Sequence, residues 1–430
     1  MNLSELRTAL SERREDYSQS AAKLDRKINQ AYLDICSRRR WSWLRREHSF
    51  ATYAPFVSVP AGPGFTINGA QDGQTEVAVV AIAPTVVPPR TLYGKRIFVE
   101  SDYYKVVNIG AVATNIVLDR PLRCTNAVHL VNVYYDEVAL PNGTLSVSQS
   151  VMSRGGSPSS SNPLSMRAMS PIDMSYMDMG VQGQPSNFAT VRKEPIPAPL
   201  VAPAVTYTVT GTPLSPHIPP GNYQFWFTHI DAQTGAESSP GPSFLVTVVV
   251  GADSFDLVAQ TARNDFYYRL YRSRIGEPQG GGVPYLLSDP QSQVIAGSFT
   301  TQDSYLGRRA PSSASTVFMR LYPTPDAEYE ISSIVQMEGQ RMGADEDLPL
   351  FDAEFHHIIL DGAEALMLEA NDEQARAGHS RQRFEVGIAR MIQMDRLNQQ
   401  QTVVFGGAST VRGRPSWLYS SGSSEADFKA

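Results

Sequence analysis

Two cysteines in 430 residues, Cys36 and Cys124, are too few to staple a fold of this length. The opening MNLSELRTALSERRED is polar and charged rather than a secretory leader, so both are expected as reduced thiols, one in a helix and one in a strand. No apolar run approaches the roughly 20 residues a membrane-spanning helix needs, and no membrane partner is expected. Phosphate-cradling chemistry is missing too: Gly280-Gly281-Gly282-Val283 lacks the Lys-Ser/Thr of a P-loop, and no G-x-S-x-G elbow occurs. His356 and His357 beside Glu354 have no HExxH spacing, and adjacent helical residues project about 100° apart, which makes them structural histidines rather than metal ligands. No pair of carboxylates stands out for acid-base work. No catalytic residue, metal or cofactor is expected, and the protein reads as a non-enzyme.

The chain is long enough for two or three domains. Hydrophobic residues at 42% and charged residues at 19% are ordinary for a globular protein, while 31 Gly and 30 Pro favour many turns and hence β-structure. A net charge of −6 argues against a general nucleic-acid binder. The charge is uneven: residues 1–50 carry eleven Lys/Arg against seven Asp/Glu, whereas 344–373 carry ten acidic residues and no Lys or Arg.

The clearest helix start lies near Asp347. Leu348-Pro349-Leu350-Phe351 is extended, Asp352 is placed to cap, and Glu354 faces the positive end of the helix dipole. Phe355, Ile358, Ile359, Ala363, Leu366 and Ala370 then recur as one apolar stripe. A second helix from Glu373 to Leu397, carrying Ala377, Phe384, Ile388, Met391 and Ile392, completes a helical hairpin over 347–400. A long helix from about Ser18 to Leu44, with Tyr17, Ala21, Leu24, Ile28, Ala31, Tyr32 and Ile35 on one face, supplies the partner. Residues 1–50 and 347–400 are therefore expected to meet in one helical bundle. The cluster Arg38-Arg39-Arg40-Trp41-Ser42-Trp43 ends the first helix. Continued by Leu44, Arg45 and Arg46, it reads as a dipole-complementing terminus with core-capping tryptophans, as a contact surface or, third, as a short DNA-binding cluster. The run Asp345-Glu346-Asp347 reads as a solvated face, and the acidic stretch 344–373 as a whole has the capacity to pair with the basic cluster 38–46 across neighbouring copies.

Between these ends the pattern is β. Residues 51–194 give short alternating runs, expected as an antiparallel sandwich or barrel of six to eight strands, with turns at Asp72-Gly73 and Asn142-Gly143. A flexible loop at 155–165 and a short helix after Ser170-Pro171 follow, in a segment holding six of the thirteen methionines. Residues 195–311, bracketed by prolines, resemble fibronectin type III-like sandwich modules in GNYQFWFTHIDAQTGAESSP and YYRLYRS. Residues 312–346 return as strands of the first β-domain, and 401–430 form an extended tail with apolar clusters Val403-Val404-Phe405 and Trp417-Leu418-Tyr419. The expected class is α+β: a terminal helical bundle, an antiparallel β-domain and an inserted Ig-like sandwich.

The order of KINQAYLDICSRRRWSWL, LYGKRIFVESDYYKVVNIG, NIVLDRPL, YYDEVALPNGT and DEDLPLFDAEFHHIILDGAEALML resembles the head-to-tail adaptor proteins of tailed bacteriophages over about three quarters of the chain. The resemblance implies a dodecameric connector ring in the virion neck, assembled in the host cytoplasm. Such a ring docks beneath the portal protein and lines part of the channel through which genomic DNA passes during ejection without sequence-specific binding. It also implies a tail nozzle or tail-tube protein below, and a tail fibre as a further partner. In the family the C-terminal tail reaches the portal, which makes Val403, Val404, Phe405, Trp417, Leu418 and Tyr419 anchor candidates, with Arg38–Arg40, Trp41, Trp43 and Asp345–Asp347 as inter-subunit or portal contacts. The inserted sandwich departs from the family pattern. A tail-fibre or adhesion protein with a glycan-binding sandwich is the second reading, and a tail-associated cell-wall hydrolase the third.

Overall fold

The computed structural model describes residues 1–407 apart from 14–19, 59–63, 68–71, 83–91, 93, 110–114, 125–127, 155–163, 179, 210–217, 232–233, 250, 262–265, 276–282, 289–293, 304–305, 308 and 312–313. Tyr17, the 155–163 part of the serine-rich loop, Gly280–Gly282 and Trp417-Leu418-Tyr419 thus lie outside the described residues. The fold is mixed α+β, with five α-helices and twenty-one strands among the described residues.

Helix α1 (Leu3–Glu12) starts at Asn2, whose side chain accepts from the Glu5 amide while Glu5 accepts from the Asn2 amide, a reciprocal capping box. Its Leu3, Leu6 and Leu10 are buried. Helix α2 (Ala21–Ser37) is shorter than the expected 18–44. It stops at Arg38, and a 3-10 turn at Ser42–Leu44 follows. The chain turns there because the Trp41 indole folds back to donate to the Ile35 carbonyl at 2.8 Å, closing the helix end. Helix α4 (His356–Ala370) follows a 3-10 turn, Ala353–Phe355, and the expected Asp352 cap is not made: its side chain holds no capping hydrogen bond. Nor is α4 one-sided. Besides Ile358, Ile359 and Ala363, residues Leu360, Asp361, Gly362, Glu364, Ala365, Met367 and Leu368 are buried, whereas Ala370 is exposed. The reason is position, since α1, α2 and helix α5 (Gln374–Gly407) all pack on it. Leu6, Ile28, Ile358, Phe384 and Met391, drawn from all four helices, share one hydrophobic core.

The strands of residues 51–194 include the expected antiparallel barrel and also enter two other sheets. Strands β2 (Gly64–Ile67), β3 (Glu76–Ile82), β4 (Arg96–Val99), β5 (Asp102–Ile109), β6 (Asn115–Leu118) and β7 (His129–Tyr134) close into a six-stranded barrel in the order β2-β3-β6-β5-β4-β7. Alternate residues such as Ile97, Val99, Val131 and Val133 fill it. Asp72-Gly73 and Asn142-Gly143 are turns, with both glycines at positive φ.

Outside the barrel and the insert, the strands make two four-stranded sheets. One runs β1 (Arg45–Ala51), β21 (Tyr329–Met337), β9 (Thr144–Arg154), β10 (Leu164–Ser165). The other runs β11 (Arg167–Ala168), β12 (Asn187–Arg192), β20 (Val317–Tyr322), β8 (Glu137–Ala139). Met152, Phe188, Leu321 and Ile331 from both sheets share a core. Helix α3 (Pro171–Ser175) is capped by Ser170 and buries Met174. The return strands β20 and β21 sit centrally here, each flanked on both sides. In the insert, β13 (Val205–Thr208), β16 (Ser254–Thr261) and β19 (Val294–Phe299) form one sheet; β15 (Phe244–Val248), β14 (Gly221–Ile230), β17 (Tyr267–Arg272) and β18 (Tyr285–Ser288) form the other. Phe225, Phe227, Phe255 and Leu270 pack between them, and Ala139 and Phe318 from outside the insert join that core. Cys36 and Cys124 are both free thiols; Cys124 lies in a loop after β6 rather than in a strand.

The helices approach closely at glycine. A Cβ on Gly362 would stand 2.6 Å from the Phe384 ring and 3.0 Å from Ala31, and one on Gly387 would stand 2.7 Å from Ile358. Gly362→Ala is therefore expected to lower stability by about 1–3 kcal/mol, overpacking outweighing the better helix propensity of alanine. Urea unfolding of the two proteins checks this, and a more stable variant would contradict the close approach.

Candidate functional site

The residues singled out from the sequence fall into three places. Trp41 is fully buried, stacked on half-buried Trp43 with ring centroids 5.4 Å apart, and Trp43 meets Phe351 edge-on at 5.3 Å. Trp41 belongs to the helical core and Trp43 packs against it. Arg38 is exposed and donates to Asp34 one turn back at 3.1 and 2.9 Å and to Glu385 of α5 at 3.0 Å. Arg39 lies 3.9 Å from Asp395 of α5. That buried carboxylate also accepts from the Ser42 amide at 3.1 Å and from the Ser42 hydroxyl, so it anchors the turn that carries the tryptophans. Arg40, Arg45 and Arg46 are exposed.

Asp345 and Glu346 are exposed, as in a solvated run, and Asp347 is partly buried. Within one chain Asp345, Glu346 and Asp347 pair with three arginines from elsewhere, none of them Arg38, Arg39 or Arg40. Arg7 of α1 donates to Asp345 at 2.8 Å while also holding Asp25 of α2 at 2.8 Å. Arg274 of the insert pairs with Glu346. Arg309 donates to Asp347 through both terminal nitrogens, one of them at 2.7 Å. The carbonyls of Asp345 and Asp347 accept from the Ser4 and Leu3 amides at 3.1 and 2.9 Å, so the same turn satisfies the open N-terminal amides of α1. The Tyr285 ring lies 4.3 Å from the Arg274 guanidinium and 5.4 Å from that of Arg309, which completes a clamp between the insert and the segment leading into α4. Burial pushes the Asp347 carboxyl upward, but hydrogen bonds from Arg309 and from the Ala344 and Gly343 amides outweigh it and leave it below the usual carboxylate range.

Further down the acidic stretch, Arg13 donates to Asp361 at 2.8 Å and Arg383 to Glu364 at 2.8 Å. His356 is buried, with Nε2 3.1 Å from the Phe351 carbonyl. Exposed His357 has Nδ1 2.7 Å from the Glu354 carbonyl. No group of three or more His, Cys, Asp or Glu able to hold a metal occurs among the described residues.

Val403, Val404 and Phe405 lie on α5 rather than on an extended tail. The run Asn398-Gln399-Gln400-Gln401 permits helix to continue, and among the described residues α5 reaches Gly407. Sequence reading missed Arg7, Arg274, Arg309, Glu385 and Asp395, whose partners are remote in the chain and carry no local spacing signal. No family model, no curated protein and no solved structure matches the chain.

Trp41→Ala is expected to cost about 3–5 kcal/mol, as for a fully buried aromatic, measurable by chemical unfolding. For Asp347, a carboxyl with a lowered folded pKa stabilises above the unfolded value of about 3.9, and that contribution is lost as pH falls through the folded value. Unfolding curves collected from neutral pH down to acid should show wild type losing more stability than Asp347→Asn. Parallel losses would mean that the clamp carries no linkage.

Proposed function

We propose that the protein is a head-to-tail adaptor of a tailed bacteriophage: a ring-forming virion protein that docks below the portal and continues the DNA channel into the tail. The observation that carries this reading is the closure of both chain ends, α1 and α2 with α5, on the central helix α4. It accompanies the same succession of motifs, aromatic-basic helix end, β-region and closing helical hairpin, on which the resemblance rests. On this reading the four helices are the adaptor bundle. The insert is an Ig or fibronectin III-like sandwich decorating it, consistent with a three-stranded and a four-stranded sheet facing each other over one core.

In the assembled neck the ring contacts portal above and a nozzle or tube protein below. With Asp345, Glu346 and Asp347 engaged inside the chain, the exposed basic strip Arg40, Arg45 and Arg46, with exposed Arg38 beside it, is the part of the cluster left to meet a neighbour. The α5 end beyond Arg396 and the residues after it are the portal-facing element.

Native mass measurement of the protein alone and after mixing with portal particles tests this, using the full chain and one ending at Gln401. A protein that joins portals as a ring, and does so only with its C-terminal end present, is the expected result. Stable trimers with no portal binding would favour a fibre instead. Replacing Arg40, Arg45 and Arg46 together by alanine is expected to weaken ring assembly most at low salt, since exposed charge pairs are screened as ionic strength rises. Ring yield unchanged across salt would remove the basic strip from the interface.

A further inference from the structure

A cleft of about 440 Å³ opens where the barrel, the β8–β20 sheet and the insert meet. Its apolar wall comes from Val106, Val107 and Val117 of the barrel, Ile196 and Ala236 near the insert, and Phe318 of β20. Its polar wall is formed by Lys105, Asn108, Lys193, Glu194, Asp231 and Thr234. The charges behind this wall do not balance. Three cations converge on one buried carboxylate: Arg320 donates to Glu137 at 2.7 and 2.8 Å, Lys105 at 3.2 Å, and Lys193 sits on its other oxygen. Arg96 is matched by Asp136 at 2.6 Å and Lys95 by Asp231. Counting Glu194 on the rim, these contacts set five cationic side chains against four carboxylates.

We propose that this cleft binds a small monoanionic carboxylic acid with an apolar body, its carboxylate between Lys105 and Lys193 and its body against Phe318 and the valines. One negative charge balances the cluster, and the volume falls in the lower part of the range for small-molecule pockets, roughly 300–1,000 Å³. Lys193 is placed for this: its ammonium lies over the Phe318 ring, 4.7 Å from the centroid, where charged head and apolar wall meet. Burial first, and then repulsion from Arg320, brings Lys105 down to about 8; burial and the neighbouring Lys105 hold Lys193 well below the usual amine range. An anion favours the charged amines, so its binding takes up protons and weakens as pH rises above the lysine values. The site stands independently of the adaptor reading.

Calorimetric titration of the full chain with sodium octanoate, 1-octanol and inorganic phosphate tests it. The expected result is one octanoate per chain, with octanol and phosphate each weaker by about tenfold or more, for want of the charge-assisted contact in one case and of the apolar body in the other. Binding should weaken between about pH 7 and about pH 9.5, with proton uptake seen as a buffer-dependent heat. Absence of octanoate binding, equal affinity for octanol, or no pH dependence overturns the proposal. So does binding of a glutamate-containing hexapeptide without octanoate, which would assign the cleft to a protein partner's side chain. Lys193→Met and Lys105→Met should each cost about tenfold, and unchanged affinity in both is a refutation. Should these variants fold poorly, wild-type Lys193 must be shielded by octanoate from reductive methylation, read by peptide mass spectrometry, and equal labelling with and without octanoate also refutes it.

Discussion

Burial of α4 on nearly every side is the constraint on which the remaining structure depends. A helix whose Asp361 and Glu364 are buried together with its isoleucines needs apolar cover and also cationic partners, because an uncompensated buried carboxylate is costly. Arg13 at the end of α1 and Arg383 of α5 supply those partners, while α2 supplies Ile28, Ala31 and Tyr32. The first and last helices are thereby drawn to the same place, and every β-element between them is obliged to leave the helical core and return to it.

The return is secured by charge as well as by strand pairing. Strands β20 and β21 hold central positions in two sheets, so the chain passing out through the insert re-enters a framework that is incomplete without it. The insert is tied to this framework at two points: the arginine clamp on Glu346 and Asp347, and the shared core around Ala139, Ile196 and Phe318 beside the Lys95–Asp231 pair. Charged contacts at such a joint fix geometry more than they add stability, since desolvation offsets much of the Coulomb attraction.

Much of the helical region was legible from residue spacing. The stripes on α2 and α5, the Ser170-Pro171 helix start and the glycine turns rest on local physics: side chains three or four apart share a helix face, and glycine alone adopts positive φ without strain. The same reasoning gave alternating strands from Phe50 onward and a sandwich or barrel as their closure, but alternation reports only that one face is buried and not which strand lies alongside. The six-stranded closure, and the division of β8 to β12 between two other sheets, depend on pairings between residues far apart in the chain.

The candidate contact residues divide along the same line. The sequence by itself determined that Arg38 to Trp43 would be an aromatic-basic helix end and that 344–373 would be strongly acidic, since composition and spacing are local properties. Only the tertiary structure decided that Trp41 is core, that Asp345, Glu346 and Asp347 are bound to Arg7, Arg274 and Arg309, and that three cations crowd around Glu137 at the mouth of a cleft. A charge finds its partner by distance in space, and a one-dimensional pattern holds no record of that distance.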